Sequence, residues 1–143
     1  MEITASMRIL CDPIQTYDAF ADPKKIGNFW FSASSQRWET GKTIALAYLE
    51  YGASFDIQVL EAVPGEHIRY YWGERADRRL CTLRFEKADG GTIVRVSESQ
   101  WRTDKDNTAE MLKNQQGWVF MLTCLKAYLE NGISTLRTGL MME

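Results

Sequence analysis

Few side chains in this sequence have the types and spacing that catalysis or metal binding requires. The chain has a single histidine, His67, in a predicted turn, and no serine is placed near it as a Ser-His-Asp arrangement would need. Its three cysteines, Cys11, Cys81 and Cys124, are far apart and lack the CxxC spacing of zinc sites. We therefore predict no catalytic residue, no metal and no cofactor.

Two charged features adjoin predicted strands. Glu98 lies on the same strand face as Val94 and Val96, an unusual position for a carboxylate. Either it is buried with a partner, or the strand frays and Glu98 is solvated, and we favour the second interpretation. Three arginines within residues 75–79 are interrupted by Asp77, which favours a solvated loop.

Length and composition are typical of one globular domain covering residues 1–143, with 45% apolar and 25% charged residues. A net charge of −2 gives no electrostatic reason to expect nucleic acid or an anionic membrane as partner. Unpaired cysteines and the lack of a signal-peptide pattern at the start predict a cytoplasmic protein with reduced thiols.

A strand and two short helices are predicted first. Residues 2–10 alternate in polarity as a strand does. Asp12-Pro13 is a helix start for residues 13–22, with Asp12 as N-cap and Pro13 at the first position. Asp22-Pro23 repeats that signal and predicts a second short helix over residues 23–31. The side chains expected to face inward from the first helix are Ile14, Tyr17 and Phe20.

Residues 35–101 show strand periodicity interrupted by turns. Pro64-Gly65 and Gly90-Gly91 are typical turn sequences. Strands joined by such short turns are antiparallel neighbours, and each here has one apolar face, so the sheet needs a single cover. The inward residues include Ile44, Leu46, Tyr48, Phe55, Ile57, Val59, Ile68, Tyr70, Trp72, Cys81, Leu83, Phe85, Val94 and Val96.

The segment "GWVFMLTCLKAYLENG", residues 117–132, is the only helix long enough to provide that cover. At 100° per residue its apolar side chains form a stripe, with Asn131-Gly132 as a C-terminal stop. The stripe consists of Met111, which precedes the quoted segment, and of Trp118, Leu122, Leu125 and Leu129 within it.

Four stretches in this order carry a family resemblance: "DPKKIGNFW", "VLEAVPGEHIRYYW", "LRFEKADGGTIVRVSES" and "GWVFMLTCLKAYLENG". Together they resemble the activator of heat-shock-protein-90 ATPase homologue (AHSA-type) family, within the START-like and birch-pollen-allergen-like (SRPBCC) superfamily. The resemblance implies an α+β helix-grip fold. In that fold a curved antiparallel sheet of six to seven strands wraps around a long C-terminal helix, with two short helices after the first strand.

That fold often holds an apolar pocket between sheet and helix. Large inward aromatics either pack a solid core or line such a pocket, and the sequence leaves both open. The candidate ligand-binding residues are Phe29, Trp30, Tyr48, Phe55, Ile57, Tyr70, Trp72, Leu83, Phe85, Val96, Trp118, Leu122 and Leu125.

Three functions follow from the resemblance. We favour non-catalytic binding of a small hydrophobic, aromatic or lipid-like molecule in the pocket. The alternative is a protein-interaction module related to chaperone ATPase activators, although the eukaryotic activator has a separate chaperone-contacting domain that we expect this chain to lack. A cyclase or hydrolase reaction in the same pocket is the least favoured.

The tail "GISTLRTGLMME" is apolar for a chain terminus. Ile133, Leu136 and Leu140 have helical spacing, which predicts a further helical turn or two, and Met141 and Met142 extend the apolar surface. Such a patch usually has a partner. Either the tail folds back on the domain or it packs against a second copy, and we favour a homodimer.

Overall fold

A seven-stranded antiparallel sheet and one long helix form most of the protein in the computed structural model, which describes residues 1–141. The strands are β1 (Ile3–Ile9), β2 (Ala33–Ser34), β3 (Thr43–Tyr48), β4 (Ala53–Val63), β5 (His67–Trp72), β6 (Arg79–Ala88) and β7 (Gly91–Ser99). Their order in the sheet is β1-β7-β6-β5-β4-β3-β2, so the first strand of the chain pairs with the last. This confirms the predicted α+β helix-grip fold.

The sheet is curved because its longest strand is irregular. The register between β4 and β5 shifts between Val59 and Glu61, which leaves Leu60 as an extra residue. Such bulges bend a strand and increase its twist. The concave face, which α2 covers, carries most of the alternating apolar residues predicted from the sequence.

The hairpin from β6 to β7 needs glycine at its second turn position. Gly90 has a φ of 77°, and a Cβ on Gly91 would lie 2.1 Å from the carbonyl oxygen of Ile9. Only glycine allows the turn to approach the end of β1 this closely. The predicted hairpin thus lies against the end of β1, next to the last pair, Ile9 and Thr92, of the β1–β7 ladder.

Two short helical segments follow β1. Helix α1 spans Pro13–Ala21, and the Asp12 side chain accepts a 2.8 Å hydrogen bond from the Gln15 N–H, as the capping signal predicts. The second segment is only a 3₁₀ turn, Ile26–Asn28, because Gly27 and Asn28 are weak helix formers. Within α1, Tyr17 and Phe20 are buried, but Ile14 is 66% exposed, so its predicted inward orientation is wrong.

Helix α2 (Thr108–Asn131) lies across the concave face and ends at Gly132 in a left-handed conformation. Leu122 and Leu125 are fully buried, and Trp118 is 9% exposed. Met111 and Leu129, at the two ends of the predicted stripe, are only partly buried. The predicted stripe is therefore fully buried only in the middle of the helix.

Candidate functional site

An apolar cavity of about 270 Å³ lies between the sheet and the first half of α2. Its walls come from β3, β4, β5, residues 29–31 and α2, and Leu140 of the tail also lines it. Two lining residues, Ala53 and Lys113, are exposed, so the cavity opens to solvent between β4 and α2.

Aromatic rings form a continuous belt around the cavity. Trp30 stacks on Phe31 with ring centroids 4.4 Å apart and lies 5.6 Å from Trp118. Phe31 packs edge-on against Phe55 at 5.4 Å, and Phe55 lies 5.8 Å from Trp72. Such ring pairs are rigid and offer flat apolar surface to a planar or chain-like molecule.

The predicted ligand-binding residues divide into two groups. Those that line the cavity are Phe29, Trp30, Tyr48, Phe55, Ile57, Tyr70, Trp72 and Trp118. Those that are buried in the hydrophobic core without lining it are Leu83, Phe85, Val96, Leu122 and Leu125. The second group lies on β6, β7 and the later turns of α2, in the part of the core beyond the cavity.

Sequence reasoning missed several lining residues. Strand parity placed Leu46 on the inward face with Tyr48, but Leu46 is absent from the candidate ligand-binding residues. Lys113, Asn114 and Gly117 were missed because they are not apolar and so fall outside a hydrophobic stripe. The others that line the cavity come from turns, from the start of β4, from the tail or from the flank of α2: Phe31, Tyr51, Ala53, Phe120, Met121 and Leu140.

Glu98 forms the polar end of the cavity and is fully buried. Its Oε1 accepts from the indole N–H of Trp118 at 2.9 Å, and its Oε2 accepts from Arg79 Nε at 2.8 Å and from the indole N–H of Trp72 at 3.2 Å. The Asn114 amide nitrogen lies 3.3 and 3.1 Å from the two oxygens. The prediction that Glu98 is solvated is wrong, because β7 stays regular to Ser99 and four donors replace water.

Arg79 is the counter-ion of that carboxylate, and the predicted solvated arginine loop is wrong at this position. Its side chain is 4% exposed, and its second terminal nitrogen donates to Glu110 on α2 at 2.8 Å. Its guanidinium lies between the rings of Trp72 and Trp101, at 4.7 and 4.4 Å from their centroids. A buried charge pair of this kind is tolerated only with good geometry and further hydrogen bonds, and both are present.

The chain turns sharply after β7, and this turn places the ring of Trp101 beside Arg79. Gln100 has a φ of 64°, an uncommon conformation for a residue other than glycine. The turn places the Trp101 indole N–H 3.0 Å from the Glu98 carbonyl oxygen. Backbone strain is thus concentrated beside the buried ion pair, as is common at functional or structurally critical positions.

The phenol and thiol groups near the cavity are held protonated. Burial raises the pKa of Tyr48 to about 12 and raises the pKa of Tyr70 well above its usual value. Burial also raises the pKa of the Cys81 and Cys124 thiols. At neutral pH these four groups are therefore uncharged and weak as nucleophiles.

The tail folds back along the domain and closes one side of the cavity. Residues 133–141 contain no helix, so the predicted further helical turns are wrong; Met142 lies outside the described residues. The Arg137 guanidinium forms a two-pronged pair with Glu50 at 2.8 and 3.0 Å. Arg137 also donates to the Trp30 carbonyl oxygen, and the Tyr48 hydroxyl donates to the Arg137 carbonyl oxygen. These polar bonds, which hydropathy does not register, hold the tail against the domain in a path of bends and turns.

The single histidine lies outside this site. His67 begins β5, and its Nε2 contacts the Glu61 carboxylate. Tyr70 and Trp72, towards the other end of that strand, are the residues that line the cavity. Within residues 1–141, no group of three or more His, Cys, Asp or Glu is arranged to hold a metal ion.

Comparison with known proteins gives a family match and several structural matches. Residues 11–130 match the sequence profile of "Activator of Hsp90 ATPase homolog 1-like protein". Protein SSP2350 from Staphylococcus saprophyticus, known from its crystal structure, is 40% identical with a TM-score of 0.84, over 94% of this chain and 95% of that one. No protein of curated function matches the sequence.

Two more distant structures share the fold. The Aha1 dimer from Colwellia psychrerythraea is 21% identical with a TM-score of 0.79, over 92% of this chain and 98% of that one. CalU16 from Micromonospora echinospora is 16% identical with a TM-score of 0.73, over 96% and 83% of the two chains. In the described part of this chain, no helix has the length and apolarity to cross a membrane.

Proposed function

The chain belongs to the activator of Hsp90 ATPase homolog 1-like family, and we propose that it binds a small apolar molecule without transforming it. The observation that carries this proposal is the cavity of about 270 Å³ enclosed by the aromatic belt. Ligand pockets are typically concave and apolar with a few placed polar groups. This volume is just below their usual range, so the ligand has one or two rings or a short chain.

The polar end of the cavity favours binding over catalysis. A general base needs a free lone pair within hydrogen-bond reach of the proton it removes. The oxygens of Glu98 are already occupied by Arg79, Trp72, Trp118 and Asn114. The arrangement satisfies a buried carboxylate and leaves a cyclase or hydrolase reaction without an obvious proton acceptor.

The protein-interaction alternative has less support. It rests on the family's name, whereas the cavity is a feature of this chain. The chaperone relation comes from the family's description alone, and nothing in the cavity geometry requires it.

A titration with naphthalene-based probes tests the proposal. We expect 2-naphthol to raise the melting temperature of the wild-type protein in a saturable manner, since ligand binding to the native state alone stabilises it. Ala53→Trp should abolish this effect by filling the cavity mouth. Ala45→Trp is the matched control, because Ala45 is exposed on the opposite face of β3.

Extraction of small molecules from protein purified from its own cells, followed by mass spectrometry, would identify the natural ligand. If no apolar compound co-purified and no naphthalene probe gave saturable stabilisation, the proposal would be refuted and the cavity would be a packing feature.

We also propose that two copies associate in the cytoplasm. Ile133, Leu136 and Met141 of the tail are 44%, 42% and 77% exposed, which supports a second copy as their cover. The cysteines are free thiols, in keeping with a reducing compartment. Sedimentation velocity should show a wild-type dimer and a Leu136→Asp monomer at micromolar concentration; a wild-type monomer would contradict dimerisation.

A further inference from the structure

Gly117 leaves a gap in the wall that α2 presents to the cavity. It lies in the interior of the helix, where glycine is less favourable than any residue except proline. A Cβ at this position would meet no heavy atom within 4 Å, so no close packing of the chain demands glycine. Because Gly117 also lines the cavity, the space it leaves belongs to the cavity.

Lys113 lies one helical turn before that gap and lines the same cavity. It is exposed, and among the ion pairs of residues 1–141 none includes its ammonium group. Glu98, which lines the same cavity, and Glu110, one turn earlier on α2, are both engaged with Arg79. The mouth of the cavity therefore has a cation available to a ligand.

The charged groups that line the cavity differ in availability. The Lys113 ammonium is exposed and, within the described residues, unpaired, whereas the Glu98 carboxylate is buried and already occupies the donors around it, among them Arg79 and Trp118. A ligand carboxylate placed beside Glu98 would therefore find no free donor in a poorly hydrated space, which is unfavourable. A carboxylate left at the mouth stays hydrated and lies beside an opposite charge.

We propose that the cavity takes an amphipathic carboxylate, which enters at the Gly117 gap and leaves its charged group beside Lys113. This rests on the proposed function and adds the class of ligand, its direction and its entry point. The apolar body lies within the aromatic belt. Gly117 keeps the entry open at the expense of helix stability.

Isothermal titration calorimetry with a matched pair of probes tests the charge. The probes are 2-naphthylacetate and its uncharged amide, 2-naphthylacetamide. In low salt we expect wild-type protein to bind the carboxylate about two- to five-fold more tightly, as for an exposed ion pair. Lys113→Gln should remove this preference, and so should 0.5 M salt. Lys87→Gln, an exposed lysine on β6, should preserve it.

Two variants of Gly117 test the entry point. Gly117→Ala should raise the melting temperature of ligand-free protein by about 2–4 °C, since alanine favours the helix and meets no clash. Gly117→Leu should weaken binding of both probes at least five-fold by occupying the gap.

The outcomes separate the two proposals. If neither probe binds wild-type protein, the proposed function itself fails. If both bind equally and Lys113→Gln changes nothing, the carboxylate assignment is wrong. If Gly117→Leu binds both probes as wild type does, the entry is elsewhere.

Discussion

The interior has a packed half and an open half, although both are built from the same alternating strands. In the packed half, β6 and β7 pack against α1, and α2 packs against β1, with Phe20 and Phe85 in edge contact at 5.6 Å. In the open half, β3, β4 and β5 face the first turns of α2 across the cavity. An inward apolar face on a strand therefore does not determine whether the opposite element packs against it or leaves a cavity.

The walls of the open half are completed by parts of the chain that lack the repeating apolar spacing of a strand or a helix. Residues 29–31 and the tail complete its walls, and the Glu98–Arg79 pair forms its polar end. In the packed half, Leu122 and Leu125 are fully buried in the core and do not line the cavity. The following variants test whether side chains in the two halves contribute differently to the free energy of unfolding.

The largest effect is expected at the polar end of the open half. Glu98→Leu leaves Arg79 buried without its main partner, which should cost about 3–5 kcal/mol of unfolding free energy. The double variant Glu98→Leu/Arg79→Met should be more stable than Glu98→Leu alone, because no unpaired charge remains. Urea denaturation of wild type and the two variants measures both differences, and a double variant no more stable than Glu98→Leu would show that the pair is not coupled.

The next largest effect compares two positions one turn apart on α2. Leu125→Ala in the packed half should cost roughly 2–5 kcal/mol, because a fully buried side chain is lost and a cavity is left. Met121→Ala should cost about 1–2 kcal/mol, because Met121 borders existing space and has fewer contacts to lose. Equal losses in chemical denaturation would mean that the open half is as tightly packed as the other.

A smaller, pH-dependent effect is expected where the tail closes the open half. The hydrogen bonds from Arg137 lower the pKa of Glu50 from its ordinary value of 4.5 to about 2. The pair therefore stabilises the fold fully above pH 4.5, and this contribution is lost as the pH falls through about 2. Glu50→Gln should lower stability at pH 7 and should lose less stability than wild type between pH 4.5 and 2.

Acid titration of both proteins, followed by circular dichroism, checks this sign. The difference in stability between wild type and Glu50→Gln should narrow as the pH falls. A constant difference would show that the carboxylate charge does not hold the tail.

The smallest effect sets the baseline for the comparison. Thr123 is exposed on α2 between the two buried positions, and Thr123→Ala should change stability by less than about 0.5 kcal/mol. Lys126 is a poorer control because its ammonium group donates to the Arg8 carbonyl oxygen at 2.7 Å. A loss at Thr123 comparable to that at Leu125 would mean that α2 is rotated about its axis.

The sequence predicts the packed half well and the open half only in part. Strand parity correctly placed Val94, Val96 and even Glu98 on the inner face. It could not identify the partners of Glu98, because Arg79 and Asn114 come from separate elements that only the fold brings together. The tail was mispredicted for a related reason: Leu136 and Leu140 have helical spacing, but the polar bonds of Arg137 determine the path.

The aromatic belt also gives the molecule a built-in optical signal. Trp30, Trp72 and Trp118 line the cavity, and they are three of only five tryptophans in the chain. Ultraviolet emission from the protein is therefore weighted towards the cavity wall. An occupant that displaced water from these indoles would shift the emission to shorter wavelengths, and a naphthyl group would accept excitation energy from them. Occupancy is thus measurable in dilute solution without attaching a label.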